Sequence, residues 1–172
     1  MVLTDLKKLK LIAIVLTISL VFTSLPGFLW TEKEVMAAET NVSITLPATV
    51  KCNEIFNGAV VIDQVDSLNA CNYDIVFDSS LLEVLDVTPG NIAEQDIPVG
   101  NWQDMEPGRI RIIQDLPGVE SVSGSGTLVN LTIRAKGLAG TTASISLENG
   151  TLSNANADEI SASWTGASTT II

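Results

Sequence analysis

"NACNYDIVFDSSLLEVLDVTPG", Asn69 to Gly90, is the stretch on which the fold turns. Its first half alternates. Cys71, Tyr73, Ile75 and Phe77 fall on one face of an extended chain, and Asn72, Asp74, Val76 and Asp78 fall on the other. A period of two with one apolar and one polar face marks a half-buried β-strand. The row of short polar side chains on the exposed face is either ordinary solvation or a surface that touches a partner.

The same signature recurs along the chain. From Ala38 onward the segments are short, rich in Val, Ile and Thr, and punctuated by Gly, Asn, Asp and Pro. Strands are predicted over Asn41–Leu46, Gly58–Val65, Ala70–Phe77, Leu82–Val87, Asn101–Gln103, Arg109–Gln114, Gly126–Ala135, Ala143–Leu147 and Ala162–Ile171. Turns are predicted at "VTPGN", "EPGR", "LPGV", "SGSG", "KGLAG" and "ENG". In "RIRIIQD", Ile110 and Ile112 oppose Arg109, Arg111 and Ile113; in "TLVNLTIRA", Leu128, Asn130, Thr132 and Arg134 oppose Val129, Leu131, Ile133 and Ala135. A one-residue slip would bury the charged set, so the register is well specified. The only helical signal is a single turn at "SSLLEV", capped by Ser79 or Ser80. One all-β sandwich over residues 38–172 is the economical reading.

Residues 1–37 read differently. Lys7, Lys8 and Lys10 precede the apolar run Leu11 to Trp30, and "VMAAE" places Val35 and Ala37 like the −3 and −1 positions of a cleavage site. That is a secretory signal peptide. The run also approaches the ~20 residues that span a bilayer, so an uncleaved membrane anchor is the alternative. Beyond it, five Lys/Arg face seventeen Asp/Glu, a net charge of −12. Such a domain repels nucleic acid and anionic membranes; membrane contact requires that the N-terminal segment be retained.

Cys52 and Cys71 are the only cysteines, and in an exported protein a pair suggests a bridge. The strand between them separates its ends by roughly 25 Å, whereas a disulfide needs Cα atoms within about 7 Å. Unless the loop around Cys52 folds back, the two do not meet, and Cys71 is a small buried hydrophobe.

Catalytic chemistry is poorly supplied. The chain has no histidine, so the common general base and metal ligand are missing. "GSGT" at Gly124–Thr127 lacks the lysine of a phosphate loop and precedes a strand; it reads as a hairpin turn. Glu94/Asp96 and Asp104/Glu106 are acidic pairs in polar, solvated stretches. "NANADE", Asn154 to Glu159, starts like a calcium loop but has Glu159 where glycine is required and Thr165 where the bidentate glutamate belongs. No metal site, cofactor or enzyme activity is expected. Asn41, Asn130 and Asn149 open N-x-S/T triplets. Of the tryptophans, Trp164 reads as core or rim. Trp102, after Gly100-Asn101, reads as the better exposed ring for stacking on a sugar.

Two stretches together resemble cohesin domains. In "NACNYDIVFDSSLLEVLDVTPG" an apolar strand ends in Phe77-Asp78, with Ser79 where the family usually has proline, and "LLEVLDVTPG" follows closely. "GSGTLVNLTIRAKGLAGTTASISLENGTLSNANADEI" resembles the family's closing strands. The resemblance runs from about Asn41 to Ile172. It implies an all-β, nine-stranded, two-sheet sandwich of jelly-roll type. It implies a non-catalytic extracellular module that docks a dockerin, with calcium in the dockerin and not in this chain, to assemble polysaccharide-degrading or cell-surface complexes. The exposed face of Ala70–Phe77 then becomes the docking platform. Ala70, Asn72 and Asp74 lie on it, Arg111, Ile113 and Asp115 on its neighbour, and the turn around Leu152 beside them. The same sandwich superfamily includes carbohydrate-binding modules, which makes direct polysaccharide binding through Trp102 the alternative.

Overall fold

The computed structural model describes residues 39–172. The expected export segment, 1–37, lies outside the described residues. Among those residues there is no helix, and thirteen strands replace the expected nine: β1 (Thr40–Thr45), β2 (Thr49–Val50), β3 (Ile55–Leu68), β4 (Ala70–Phe77), β5 (Leu82–Ile92), β6 (Gln95–Ile97), β7 (Val99–Glu106), β8 (Arg109–Asp115), β9 (Val122–Ala135), β10 (Thr142–Ser153), β11 (Glu159–Ile160), β12 (Ala162–Thr165) and β13 (Ala167–Ile171). One sheet runs β12-β1-β3-β9-β5-β6; the other runs β2-β13-β10-β4-β8-β7, with β11 on β10. Their inner faces share one aliphatic core, to which Val60, Ile62, Tyr73, Ile75, Ile110, Ile112, Leu131, Ile133 and Ile145 contribute.

The extra strands have local causes. β2, β6 and β11 are two or three residues long, too short to carry a periodic signal. The predicted last strand, Ala162–Ile171, divides at Gly166. Its first half lies parallel to β1 in one sheet, and its second half pairs with β10 in the other. At Gly166 a Cβ would run into the Ile145 carbonyl, so only glycine lets the chain cross between sheets at this point.

Three predicted turns lie inside strands. β5 continues through Pro89 and Gly90. β6 covers only Gly90–Ile92 of β5, so Pro89 sits where the strand is an open edge, the place a sheet tolerates proline. Gly90 lies against the backbone of Thr127 and Leu128 in β9 with no space for a side chain. "GSGT" is part of β9, with Gly124 at a positive φ of 131°. "ENG" is a bulge in β10 between Glu148 and Thr151, with Asn149 at φ 51°. A further bulge opposite Val60/Val61 turns both Leu128 and Val129 inward, where strict alternation would oppose them. The turn before β5 is capped one residue earlier than expected. Asp78 Oδ1 accepts the Ser80 N–H at 2.8 Å and its hydroxyl at 2.6 Å.

Cys52 and Cys71 are both free, the first exposed and the second buried. Burial pushes the Cys71 thiol up to about 12. Two outcomes follow. Under native conditions a maleimide labels Cys52 and spares Cys71, which mass spectrometry of the peptides checks. Gly90→Ala lowers the unfolding free energy by about 1–3 kcal/mol through overpacking, whereas exposed Pro89→Ala changes it by about 0.5 kcal/mol or less; urea titration of the two variants separates them.

Candidate functional site

The outer face of the second sheet is built by register. In β4 the core takes Cys71, Tyr73 and Ile75, and in β8 it takes Ile110, Ile112 and Gln114. The interleaved residues therefore point outward. Antiparallel pairing sets Asp74 opposite Arg111, Asn72 opposite Ile113 and Ala70 opposite Asp115. β7 continues the rows with Gln103 opposite Arg111 and Asn101 opposite Ile113, and β10 brings Glu148 opposite Asp74. Beneath the face, Gln114 is a fully buried amide. It donates to the Ile97 and Leu128 carbonyls at 3.2 and 2.9 Å and accepts the Tyr73 hydroxyl at 3.3 Å. Tyr73 packs on Trp164 with ring centroids 5.6 Å apart, which ties the face to the opposite sheet.

Asp74 departs from expectation. It faces outward by register, yet its side chain is only 1% exposed. Arg111 binds it with two bonds, Nε at 2.7 Å and Nη2 at 3.0 Å. Arg109 Nη1 adds a third at 2.9 Å, and Asn149 Nδ2, delivered by the β10 bulge, a fourth at 2.8 Å. These side chains cover the carboxylate completely, so it is not a solvent-facing contact. Arg109 is fully engaged, its Nε on Glu106 at 3.1 Å and its Nη2 on Glu148 at 2.8 Å. The Arg111 bonds, with smaller help from Asn149 and Arg109, outweigh the cost of burial and hold the Asp74 carboxyl down at about 2.

The remaining expected residues divide. Asn72 and Asp115 are exposed, Ile113 is 41% exposed, Arg111 is partly exposed and Ala70 is half-buried. Leu152 is a correction. It lies within β10, not in a turn, pairs with Cys71 and faces the core. Trp102 is another correction. It pairs with Ile112, an inward position, so its ring packs on the core and is only half-buried at the rim. Arg109, Glu148 and Asn149 are not among the site residues expected from the sequence. The Arg-x-Arg spacing was a signal for the first, but the "ENG" bulge disguised the others as a turn.

Among the described residues no three His, Cys, Asp or Glu side chains gather as a metal site requires. The Asn154–Asp158 loop satisfies itself, with Asn154 Oδ1 accepting the N–H groups of Asn156 and Asp158. The face offers hydrogen bonds, the exposed apolar side chains of Ile113 and Met105, and fixed charges.

The depressed Asp74 carboxyl makes stability depend on pH. Its charged form is favoured in the folded state, so the contribution is complete above the ordinary value of 3.8 and is lost as pH falls from there towards about 2. The shift corresponds to about 2 kcal/mol. Asp74→Asn is therefore less stable than the parent at pH 7, and the difference narrows at pH 2; denaturant unfolding at both pH values measures it.

The Cohesin domain family model matches residues 40–171, the span from the start of β1 to the end of β13. No curated protein matches the chain. Among solved structures, the chain is similar to a non-cellulosomal cohesin from the archaeon Archaeoglobus fulgidus, with a TM-score of 0.67 and 18% identity over 78% of this chain and 92% of that one. It is similar to the cohesin module of a family 33 glycoside hydrolase from Clostridium perfringens, with a TM-score of 0.67 and 14% identity over 78% and 98%. It is also similar to a type I cohesin–dockerin complex from Clostridium thermocellum, with a TM-score of 0.64 and 17% identity over 82% and 99%. At such identities these likenesses speak for the fold, and the family rests on the model match across the whole sandwich: the chain belongs to the cohesin domain family.

Proposed function

We propose that this cohesin is a non-catalytic docking module that binds a dockerin-bearing protein through the outer face of β10-β4-β8-β7. The observation that carries the reading is the combination of family membership with an outer face on which paired ions hold Arg109 and Arg111 in place. Solved relatives of the same fold are complexes with dockerins. The contact residues in this reading are Asn72, Arg111, Ile113 and Asp115, with Ala70 beside them. Asp74 serves from below by fixing Arg111 rather than by touching the partner. Calcium belongs to the dockerin, whose loops need it to fold. The N-terminal signal reading places the module outside the cell, free or held at the surface by a retained segment, where it would assemble polysaccharide-degrading or other extracellular complexes.

Calorimetric titration of the full chain with calcium-loaded dockerin modules tests the proposal. Binding is expected, is abolished by a chelator, and is weakened ten-fold or more by Asn72→Arg or Ile113→Asp with unchanged melting temperature. Silence towards every dockerin, with binding to soluble polysaccharides run in parallel, would show that the family fold serves sugar recognition here.

A further inference from the structure

The outward residues of β8 form a sequence of their own: Arg111, Ile113 and Asp115. Arg111 stands between Asp74 and Gln103 and leans onto Asp74. Ile113 stands between Asn72 and Asn101; Asp115 stands opposite Ala70 and beside Gly100, where a Cβ would come within 2.8 Å of its Oδ1. The three side chains therefore make a ridge along one strand, open to solvent at Ile113 and Asp115 and partly so at Arg111.

Their unmet needs differ. Arg111 is already neutralised by Asp74, through Nε and Nη2. Among the described residues its Nη1 has no acceptor, so what remains is a hydrogen bond and not a charge. Asp115 has neither an ion-pair nor a hydrogen-bond partner among the described residues, and the domain around it is strongly acidic. Its need is a cation. Ile113, at 41% exposed, supplies the apolar point between them.

Resting on the dockerin reading above, we infer that the β8 ridge selects a dockerin helix bearing a Lys or Arg for Asp115, an apolar residue for Ile113, and a side-chain oxygen for Arg111, in that order along the ridge. The spacings agree. Alternate residues of a strand stand about 7 Å apart, so the ridge is about 13–14 Å long. Residues i, i+4 and i+8 of a helix span about 12 Å along its axis and share a face. Ala70 and Gly100 leave the carboxylate of Asp115 open to an approaching ammonium or guanidinium group. Asp115 is thus the residue that discriminates among dockerins by charge, and Arg111 the one that fixes the helix in register.

A panel of recombinant dockerin modules, calcium-loaded, titrated into the full chain provides the test. Modules with the basic–apolar–oxygen pattern are expected to bind ten-fold or more tightly than the rest, with affinity falling as salt rises. Asp115→Lys, whose side chain has no structural partner to lose, reverses the preference, and Lys→Glu or Arg→Glu at the matching dockerin position restores binding to that variant. Dockerins that bind through the face but ignore both Asp115→Lys and the charge swap would overturn the inference and leave the docking function standing. Failure of every dockerin to bind would overturn both.

Discussion

A single carboxylate ties three strands of the outer face together. Asp74 belongs to β4, its two arginines to β8 and its asparagine to the bulge of β10, and the arginines carry the network on to Glu106 of β7 and Glu148 of β10. A carboxylate placed out of water is costly unless its lone pairs are met. Here four donors meet them, two in the bidentate geometry that suits guanidinium. The bulge at Asn149 delivers its amide to the same carboxylate.

This arrangement lets an exposed sheet face behave as a rigid object. Long arginine side chains on a strand surface ordinarily sample many rotamers. Arg109 has all three guanidinium nitrogens bound and Arg111 has two. The ordering of these side chains takes place when the domain folds, before any partner arrives, and preorganisation of that kind favours association. Gln114 and Tyr73 extend the same logic inward. Their hydrogen bonds leave the strands beneath the face one register, and the Tyr73–Trp164 contact anchors them to the opposite sheet.

Period-two alternation made the fold class and most strand centres legible, and it failed where glycine or proline carried a second meaning. Pro89-Gly90 and Gly124–Thr127 have turn chemistry but are strand residues, because their missing side chains or N–H groups suit close packing of β5 against β9 and an open edge. Gly166 looks like an ordinary strand residue and is the crossing point between sheets. At the site, alternation placed Asn72, Arg111 and Ile113 on one face, and the resemblance added Asp115. It could not reveal that Asp74 is covered, because the cover comes from strands 35 to 75 residues away in sequence. Alternation stopped at Gln103 and so gave Trp102 no phase, whereas pairing with Ile112 turns its ring inward. Leu152 was placed by resemblance to a turn; the strand extends through it and its side chain goes to the core.

Burial of the charge also explains why the face is polar without being loosely specified. Replacing Asp74 and its arginines by apolar residues would satisfy the energetics of the sheet about as well, but it would create a contiguous sticky surface. Keeping the ions and pairing them internally leaves a charged and polar face on which Ile113 and Met105 are the large exposed apolar side chains. A surface of fixed polar groups disfavours the non-specific burial of hydrocarbon. The same ion network that bridges β4, β8 and β10 therefore also fixes the arginines of the outer face.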